Sequence, residues 1–296
     1  MTAIERLESL LTRIGLAIFR ALGPIRASNL GGVVAAAIGP LLPVSRAADR
    51  NLRAVFSNMD RPARRRLIRE TWDNLGRTIA ELPHLPSLEL TDSGPGFAIQ
   101  GSEHVCAGRA IYVSAHFGNW EALPVIAARH GVTVAPFYRA AKNVGVDAQI
   151  QALRKAAVRH DAPMFAKGVA GARSAVSYLS RGGALGLLVD QKLNDGILVP
   201  FLNIPAMTTP AAAAFALRFR CPVIPVYIIR TGPARLEMIV EPPLPVPDSG
   251  DRNADIHHLT TLINTTLGEW ILKKPGAWLW LHRRWPKEVV EGAVLR

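Results

Sequence analysis

Apolar residues in the first 22 positions of the chain recur at helical spacing and form one stripe. Its members are Leu7, Leu10, Leu11, Ile14, Ile18 and Leu22. Arg6, Arg13 and Arg20 recur at every seventh position and lie on a different stripe. The pattern predicts an amphipathic helix over residues 1–22. Such a helix either lies among lipid headgroups or packs its apolar stripe on the rest of the protein, and the pattern fits both.

The following segment, residues 27–44, contains no charged residue but several glycines and prolines. Its helix-compatible part, residues 30–42, is shorter than the roughly 20 residues that a membrane-spanning helix needs. The segment therefore favours a re-entrant or surface-embedded element over a crossing. The segment before it, residues 1–22, is a poor secretory signal peptide, because charged residues interrupt its apolar run at regular intervals. We divide the chain into a membrane-associated helical segment, residues 1–45, and a main domain, residues 46–296.

Strand and helix patterns alternate through the main domain. A helix is predicted over residues 62–81, because Asp60-Arg61-Pro62 is a helix-start signal. Further strands are predicted over 109–115, 132–137, 184–189, 222–229 and 236–240, and further helices over 122–130, 146–159, 169–180, 211–219 and 256–272. Apolar runs that alternate with helices are typical of strands buried on both faces of a parallel sheet. The sequence predicts an α/β domain with a mostly parallel central sheet flanked by helices.

The charge balance restricts the partners of the protein. The 296-residue chain carries 35 Lys and Arg against 23 Asp and Glu, a formal net charge of +12. Such a protein tends to bind an anionic membrane surface, an acidic protein or nucleic acid. The sequence has no zinc-finger spacing, RNP-like run or long basic block, so nucleic acid is not an expected partner. Cys106 and Cys221 lie far apart without metal-ligand spacing, which is typical of buried thiols in a reducing compartment.

Candidate chemistry lies at the end of the strand predicted over 109–115, where residues 116–121 read His-Phe-Gly-Asn-Trp-Glu. On one continuous helix His116 and Glu121 would lie about 140° apart, at 100° per residue. They can meet only if the chain turns between them. Gly118 permits a turn, and Asn119 is a good N-cap for the next helix. The pair would then lie at a strand carboxyl end, where open α/β sheets bind their ligands.

A histidine next to a carboxylate suits base catalysis. The carboxylate fixes the tautomer of the ring and makes the imidazole a better base. Such a base can take a proton from a substrate hydroxyl as that oxygen attacks an acyl carbonyl. We therefore predict that His116 is a general base and that Glu121 orients its imidazole. Ser114 lacks the Gly-x-Ser-x-Gly pattern of hydrolases and is interpreted as structural.

The motif His-x4-Glu of residues 116–121, with Phe-Gly-Asn-Trp between the two residues, resembles the signature of the bacterial lipid A biosynthesis (lauroyl and myristoyl) acyltransferases. This family belongs to the lysophospholipid acyltransferase superfamily. Further segments resemble the family in the same order, namely Tyr138-Arg139, Asp190-Gln191, Val199-Pro200-Phe201, Pro205 to Thr208, Cys221 to Pro225 and Trp278 to Trp285. The resemblance covers roughly residues 46–287. Asn203 departs from it, since the family often has glycine there.

The resemblance implies an acyltransferase fold and transfer of a fatty acyl chain from an acyl carrier protein thioester to a hydroxyl of a lipid A precursor. It places the protein at the cytoplasmic face of the inner membrane, with neither metal nor organic cofactor. The expected partners are the acyl carrier protein, the lipid A precursor and an anionic membrane surface. The alternatives are acylation of another glycolipid or lysophospholipid, and a non-catalytic membrane adaptor.

The resemblance also implies further site residues. Arg139 and Asp190 would belong to the substrate-binding part of the site, together with an arginine on the helix after Arg139, either Arg154 or Arg159. From position alone, Arg139 is either a surface residue or a group that binds negative charge at a strand end. Asp190 is either paired structurally or positions an arginine, because a buried carboxylate needs a partner. The tail tryptophans fit a membrane interface or a core stripe equally well.

Overall fold

The computed structural model describes residues 2–158, 162–286 and 288–290. Its strands are β1 (Gly96–Gln100), β2 (Ile111–Ser114), β3 (Val134–Tyr138), β4 (Phe165–Ala166), β5 (Ala184–Leu188), β6 (Ile197–Phe201), β7 (Ile204–Thr208), β8 (Val223–Gly232) and β9 (Arg235–Val240). Seven of them form one sheet in the order β1-β9-β8-β2-β5-β3-β4, and β6 and β7 form a separate antiparallel hairpin. Within the large sheet, β8 and β9 pair antiparallel and the other pairs are parallel. The predicted fold class is confirmed.

Helices cover both faces of the sheet. They are α1 (Ala3–Ile38), α2 (Ser45–Val55), α3 (Arg61–Glu81), α4 (Leu123–Arg129), α5 (Val144–Val158), α6 (Val169–Ser180), α7 (Ala211–Phe219) and α8 (Arg252–Lys273). Successive residues of β2 point to opposite faces, as the pleat requires. Ile111 and Val113 pack in the core that contains α6, α7 and α8, whereas Tyr112 packs in the core that contains α4 and the end of α5.

The helix predicted over residues 1–22 is confirmed, and helical structure continues beyond its predicted end. α1 is helical to Ile38 and is interrupted only at Gly23, where φ is +73°. The second part of α1 packs on α3 through small residues, since a Cβ on Gly31 would collide with the backbone of Gly76. Residues 27–38 are therefore part of a helix that packs on α3, and their re-entrant or surface-embedded location stays a prediction. Their glycines serve close helix packing and do not break the helix.

α1 also carries a large exposed apolar surface. Its exposed large apolar residues, with those of the short segment that follows, are Ile4, Leu7, Leu10, Leu11, Ile14, Ile18, Ile25, Leu30, Val33, Val34, Ile38, Leu41, Leu42 and Val44. By length and composition, the helical stretch from Ala3 to Leu41 is long and apolar enough to cross a membrane. It is therefore apolar enough to anchor the protein in a membrane.

The tail segment that contains the tryptophans, residues 278–285, is part of the core. Trp278, Trp280 and Trp285 are all buried, which decides for the core stripe over the membrane interface. The amide of Asn51 on α2 donates to the carbonyl oxygen of Trp280 at 3.0 Å. Phe117 and Trp278 form an antiparallel bridge, so the tail lies directly beside the segment that contains His116.

Candidate active site

The carboxyl end of β2 carries the predicted base. β2 ends at Ser114, and His116 lies two residues beyond it. The chain turns at Gly118, whose φ is +58° and where a Cβ would collide with the carbonyl oxygen of Ile228. A 3-10 turn, Trp120–Ala122, then leads into α4. The predicted sequence of strand, turn and helix is confirmed, although the side chain of Asn119 does not cap the turn.

His116 is held by Asp190, which lies two residues beyond β5. Nδ1 of His116 donates to Oδ1 of Asp190 at 2.8 Å, and the backbone N–H of His116 donates to Oδ2 at 3.0 Å. The indole N–H of Trp278 donates to the same Oδ2 at 2.7 Å. Because an ionised carboxylate only accepts hydrogen bonds, Nδ1 carries the ring proton and Nε2 is the basic nitrogen.

This contact corrects two sequence-based assignments. The carboxylate that orients the imidazole is Asp190 and not Glu121. Asp190 is fully buried behind the ring, so it cannot contact a substrate as a substrate-binding residue would. Strand register is the physical reason. β2 and β5 pair in parallel with Ser114 opposite Leu188, and the residues two positions further along each strand therefore meet.

Two opposing effects act on the pKa of His116. Burial lowers it, but the charge of Asp190 and its hydrogen bond to the ring outweigh burial, so the pKa is raised from its ordinary value. The charge of Glu121 adds to this rise and that of Arg154 opposes it. Burial alone would raise the pKa of Asp190, yet the imidazole and Trp278 hold it well below its usual range. Asp190 therefore stays ionised beside His116.

Glu121 forms an ion pair with Arg154 on α5. Oε1 of Glu121 accepts from Nη2 of Arg154 at 2.6 Å, and Oε2 accepts from Nε at 2.8 Å. This is the two-pronged geometry that a guanidinium offers a carboxylate. Of the two arginines considered for this helix, Arg154 lies at the site, whereas Arg159 lies outside the described residues. The carboxylate of Glu121 thus holds the guanidinium of Arg154, whereas the imidazole of His116 is hydrogen-bonded to Asp190.

His116, Glu121 and Arg154 line a cavity of about 980 Å³. Such a volume is at the upper end of what is typical for small-molecule pockets. Its lining comes from the sheet and from the helices α4, α5, α6 and α7. Most of the lining residues are apolar, and they include Leu123, Ala127, Val132, Val134, Val226, Met238 and Val240. The arrangement offers an apolar chain a compartment that His116 also lines.

The lining of this cavity carries cations where it is exposed to solvent, at its opening. Arg139, which follows β3, and Lys167 are exposed there, and Lys192 is partly exposed. Glu121 is the only acidic side chain among the described lining residues, and it is already paired with Arg154. The opening is therefore positively charged and suited to an anionic group.

Two contacts of the site escaped the sequence reasoning. The indole of Trp278 donates a hydrogen bond to Asp190, which is 88 positions away in the sequence. No local sequence pattern could have predicted this contact. The side-chain amide nitrogen of Gln191 lies 3.4 Å from Nε2 of His116. Gln191 directly follows Asp190 at the end of an apolar run, and this position could have been used to predict that it lies at the site.

The described residues contain no group of three or more His, Cys, Asp or Glu side chains that could hold a metal ion. In a comparison with known protein families, the family model of the bacterial lipid A biosynthesis acyltransferases matches residues 4–287. A comparison with curated proteins finds no match.

Proposed function

The chain belongs to the bacterial lipid A biosynthesis acyltransferase family, and from this premise we propose that it moves a fatty acyl chain from an acyl carrier protein thioester to a hydroxyl of a lipid A precursor. The family supports the acyltransferase activity and the lipid A precursor as acceptor. The thioester donor and the reaction steps below are our proposal.

The observation that carries the proposal is that His116 lines a large, mostly apolar cavity. Nδ1 of His116 is bound to Asp190, so Nε2 is the nitrogen that can accept a proton. An acyl chain in the cavity would bring its thioester carbonyl to this nitrogen. The acceptor hydroxyl would then lie between Nε2 and the carbonyl carbon.

In the proposed reaction, Nε2 of His116 takes the proton of the acceptor hydroxyl as that oxygen attacks the thioester carbonyl. Asp190 stabilises the resulting imidazolium without taking the proton. Arg154 or backbone amides stabilise the oxyanion of the tetrahedral intermediate. When the intermediate collapses, the C–S bond breaks and the imidazolium returns the proton to the leaving thiolate. The products are the acylated acceptor and a free thiol, and no metal or organic cofactor enters the scheme.

The charged opening supports an anionic acceptor and an acidic donor protein. We propose that Arg139, Lys167 and Lys192 bind phosphate groups of the lipid A precursor, since phosphate is best recognised by arginine and lysine. The net charge of +12 would favour approach of the acidic acyl carrier protein.

The exposed apolar surface of α1 supports a membrane location. We propose that residues 1–45 form the membrane-associated segment and residues 46–296 the acyltransferase domain. The acceptor is a lipid, so an enzyme at the cytoplasmic face of the inner membrane would meet it without extracting it from the bilayer. Anionic headgroups would contact the arginine stripe of α1.

The proposal is tested with purified protein, an acyl carrier protein thioester and a lipid A precursor, with the product detected by mass spectrometry. The wild type transfers the acyl chain, and His116→Gln lowers the rate by about 10³-fold, within the usual range for loss of a general base. His258→Gln, at an exposed histidine of α8, is the control and keeps the rate. Equal rates for His116→Gln and wild type would remove the assignment of the base.

The acceptor is tested separately by the lipid A profile of a deletion strain. Loss of one acyl chain from lipid A is expected. An unchanged profile, together with His116-dependent acylation of another glycolipid or a lysophospholipid, would replace the proposed acceptor. Absence of acyl transfer to every one of these lipids would leave only the non-catalytic adaptor.

A further inference from the structure

A buried polar network lies behind the turn that carries His116 and Glu121, on the side away from the cavity. At its centre is Glu81, the last residue of α3, whose side chain is 4% exposed. It pairs with Arg230 of β8, whose side chain is 11% exposed. Neither residue lines the cavity, so the catalytic scheme above does not use them.

Both oxygens of the Glu81 carboxylate are fully used. Oε1 accepts from the hydroxyl of Ser28 at 2.7 Å and from Nε of Arg230 at 3.0 Å. Oε2 accepts from Nδ2 of Asn119 at 2.7 Å and from Nη2 of Arg230 at 2.9 Å. Ser28, Glu81 and Asn119 are buried. A buried carboxylate is tolerated when its charge is paired and its lone pairs are satisfied, and here both conditions hold.

The guanidinium of Arg230 connects the network to a second set of hydrogen bonds that reach the turn. It donates to Oδ1 of Asn74 and to the hydroxyl of Thr78, both on α3. Nδ2 of Asn74 then donates to the carbonyl oxygen of Gly118 at 3.0 Å, and the hydroxyl of Thr78 donates to the same oxygen at 3.2 Å. Gly118 and Asn119 are therefore both held by groups that Glu81 and Arg230 orient.

The two held residues are those that decide the direction of the chain between His116 and Glu121. Gly118 has a left-handed φ of +58°, and Asn119 precedes the 3-10 turn that contains Glu121. A shift at either residue would displace Glu121 from Arg154 and Trp120 from the imidazole, whose ring centre is 5.2 Å from that of Trp120. The network therefore bonds the two residues on which the positions of Glu121 and Trp120 depend.

We propose that Glu81 and Arg230 are positioning residues that hold the turn of residues 116–121 in its productive conformation, and that Ser28 ties this turn to the membrane-facing helix α1. This inference rests on the proposed acyl transfer. Buried ion pairs often add little stability, and fixing one conformation is a role by which they are retained. Here the fixed conformation is that of the catalytic turn.

The test exchanges the carboxylate and the amide across the hydrogen bond between Glu81 and Asn119. Glu81→Gln removes the charge beside Arg230, and Asn119→Asp places a second carboxylate beside Glu81. We expect each single variant to lower kcat by about 10- to 100-fold, the scale of an ångström-sized misplacement. KM should stay within about threefold, since substrate contacts are unchanged.

The double variant Glu81→Gln with Asn119→Asp restores the number of charges, although the new NH2 group at position 81 then faces Nη2 of Arg230 as well as the new carboxylate. We therefore expect it to recover about threefold in kcat over the better single variant, because contacting residues couple. The activity of each variant is divided by the amount of folded protein, and the folded fraction is determined from thermal unfolding curves. Asp255→Asn removes another buried carboxylate, which bonds Ser249 at the start of α8, and should leave kcat unchanged.

A milder pair of variants covers the case in which the charge exchange prevents folding. Ser28→Ala removes one hydrogen bond to Glu81 and should lower kcat by about threefold or more. Ser45→Ala removes a buried hydroxyl that bonds Gly39 and Trp72, outside the network, and should not change kcat. Wild-type kcat in folded Glu81→Gln, or no recovery in the double variant, would overturn the inference. If the wild type itself transfers no acyl chain, the proposed function fails instead.

Discussion

The two oxygens of Asp190 accept from different partners, and this decides the tautomer of His116. Oδ2 accepts from two N–H groups, the backbone of His116 and the indole of Trp278, whereas Oδ1 accepts from Nδ1 alone. An amide at position 190 would have to turn its oxygen toward the two N–H groups. Its NH2 group would then face Nδ1, which could only accept.

From this geometry we predict that Asp190→Asn moves the ring proton from Nδ1 to Nε2, where it blocks the base. The expected loss in kcat is about 10⁴-fold, as for other bases forced into the wrong tautomer. Steady-state kinetics measures the loss. Ser249→Ala, which removes a hydrogen bond to the remote carboxylate of Asp255, is the control. An Asp190→Asn enzyme within tenfold of wild type would mean that Asp190 does not set the tautomer.

The raised pKa of His116 predicts an acid limb in the pH–rate profile. The base works in its neutral form, and the charge of Asp190 favours the protonated form, so protonation persists to higher pH. Activity should therefore fall as the pH drops through a value above about 6.5, the ordinary pKa of histidine. The profile of kcat/KM reports this group in the free enzyme. An acid limb at or below that value would show that burial outweighs Asp190.

At the level of residues, the sequence predicted a carboxylate partner for His116 but assigned the wrong residue to that position. His116 was found because it follows an apolar run and precedes a turn. Glu121 is five positions away and looked like its partner, whereas Asp190 is 74 positions away and meets it only because β2 and β5 are neighbours. Which strands are neighbours is fixed by the packing of the whole sheet, and no local pattern carries it.

Among secondary-structure elements, strong periodicity was the reliable signal. The helices over residues 169–180 and 211–219 have the predicted bounds, and α3 agrees with its prediction within one residue. The β6–β7 hairpin was not predicted as strands, because Pro200 and Pro205 interrupt the pattern and proline is usually absent from sheet interiors. They face each other across the hairpin, where each strand has a single partner among the described residues.

The part of the cavity lining that β5 forms leads to a prediction about the preferred length of the acyl chain. Gly186 lines the cavity, and a Cβ there would lie 2.9 Å from a methyl carbon of Val134 across the neighbouring strand β3. Gly186→Val should therefore narrow the apolar compartment and disfavour long chains. With acyl donors of different lengths in competition, the ratio of long to short product should fall by about tenfold, as for a few misfitting methylenes.

The matched control for this substitution is Gly108→Val, since a Cβ on Gly108 meets nothing within 4 Å. It should leave the product ratio at the wild-type value. If Gly186→Val changed the total rate and left the ratio unchanged, the acyl chain would not lie along β5.

For the molecule as a whole, exposed apolar surface is concentrated in the first 44 residues, while the net charge is +12. Both features favour adsorption to an anionic bilayer, one through burial of apolar area and the other through electrostatic attraction. They respond differently to salt, because screening weakens attraction between charges and leaves the hydrophobic contribution in place. The two contributions can therefore be separated in one experiment.

We predict that substitution of Leu7, Leu11 and Ile14 by serine weakens vesicle binding about 100-fold, since each half-exposed side chain contributes about 1 kcal/mol when buried in lipid. Serine at Leu90, Leu198 and Leu272, which are similarly exposed outside α1, should not weaken it. Raising salt from about 0.1 M to about 1 M, which shortens the Debye length from about 10 Å to about 3 Å, should weaken binding of both variants to anionic vesicles. Equal binding of the two variants would exclude α1 as the anchor, and salt-independent binding would exclude the charge.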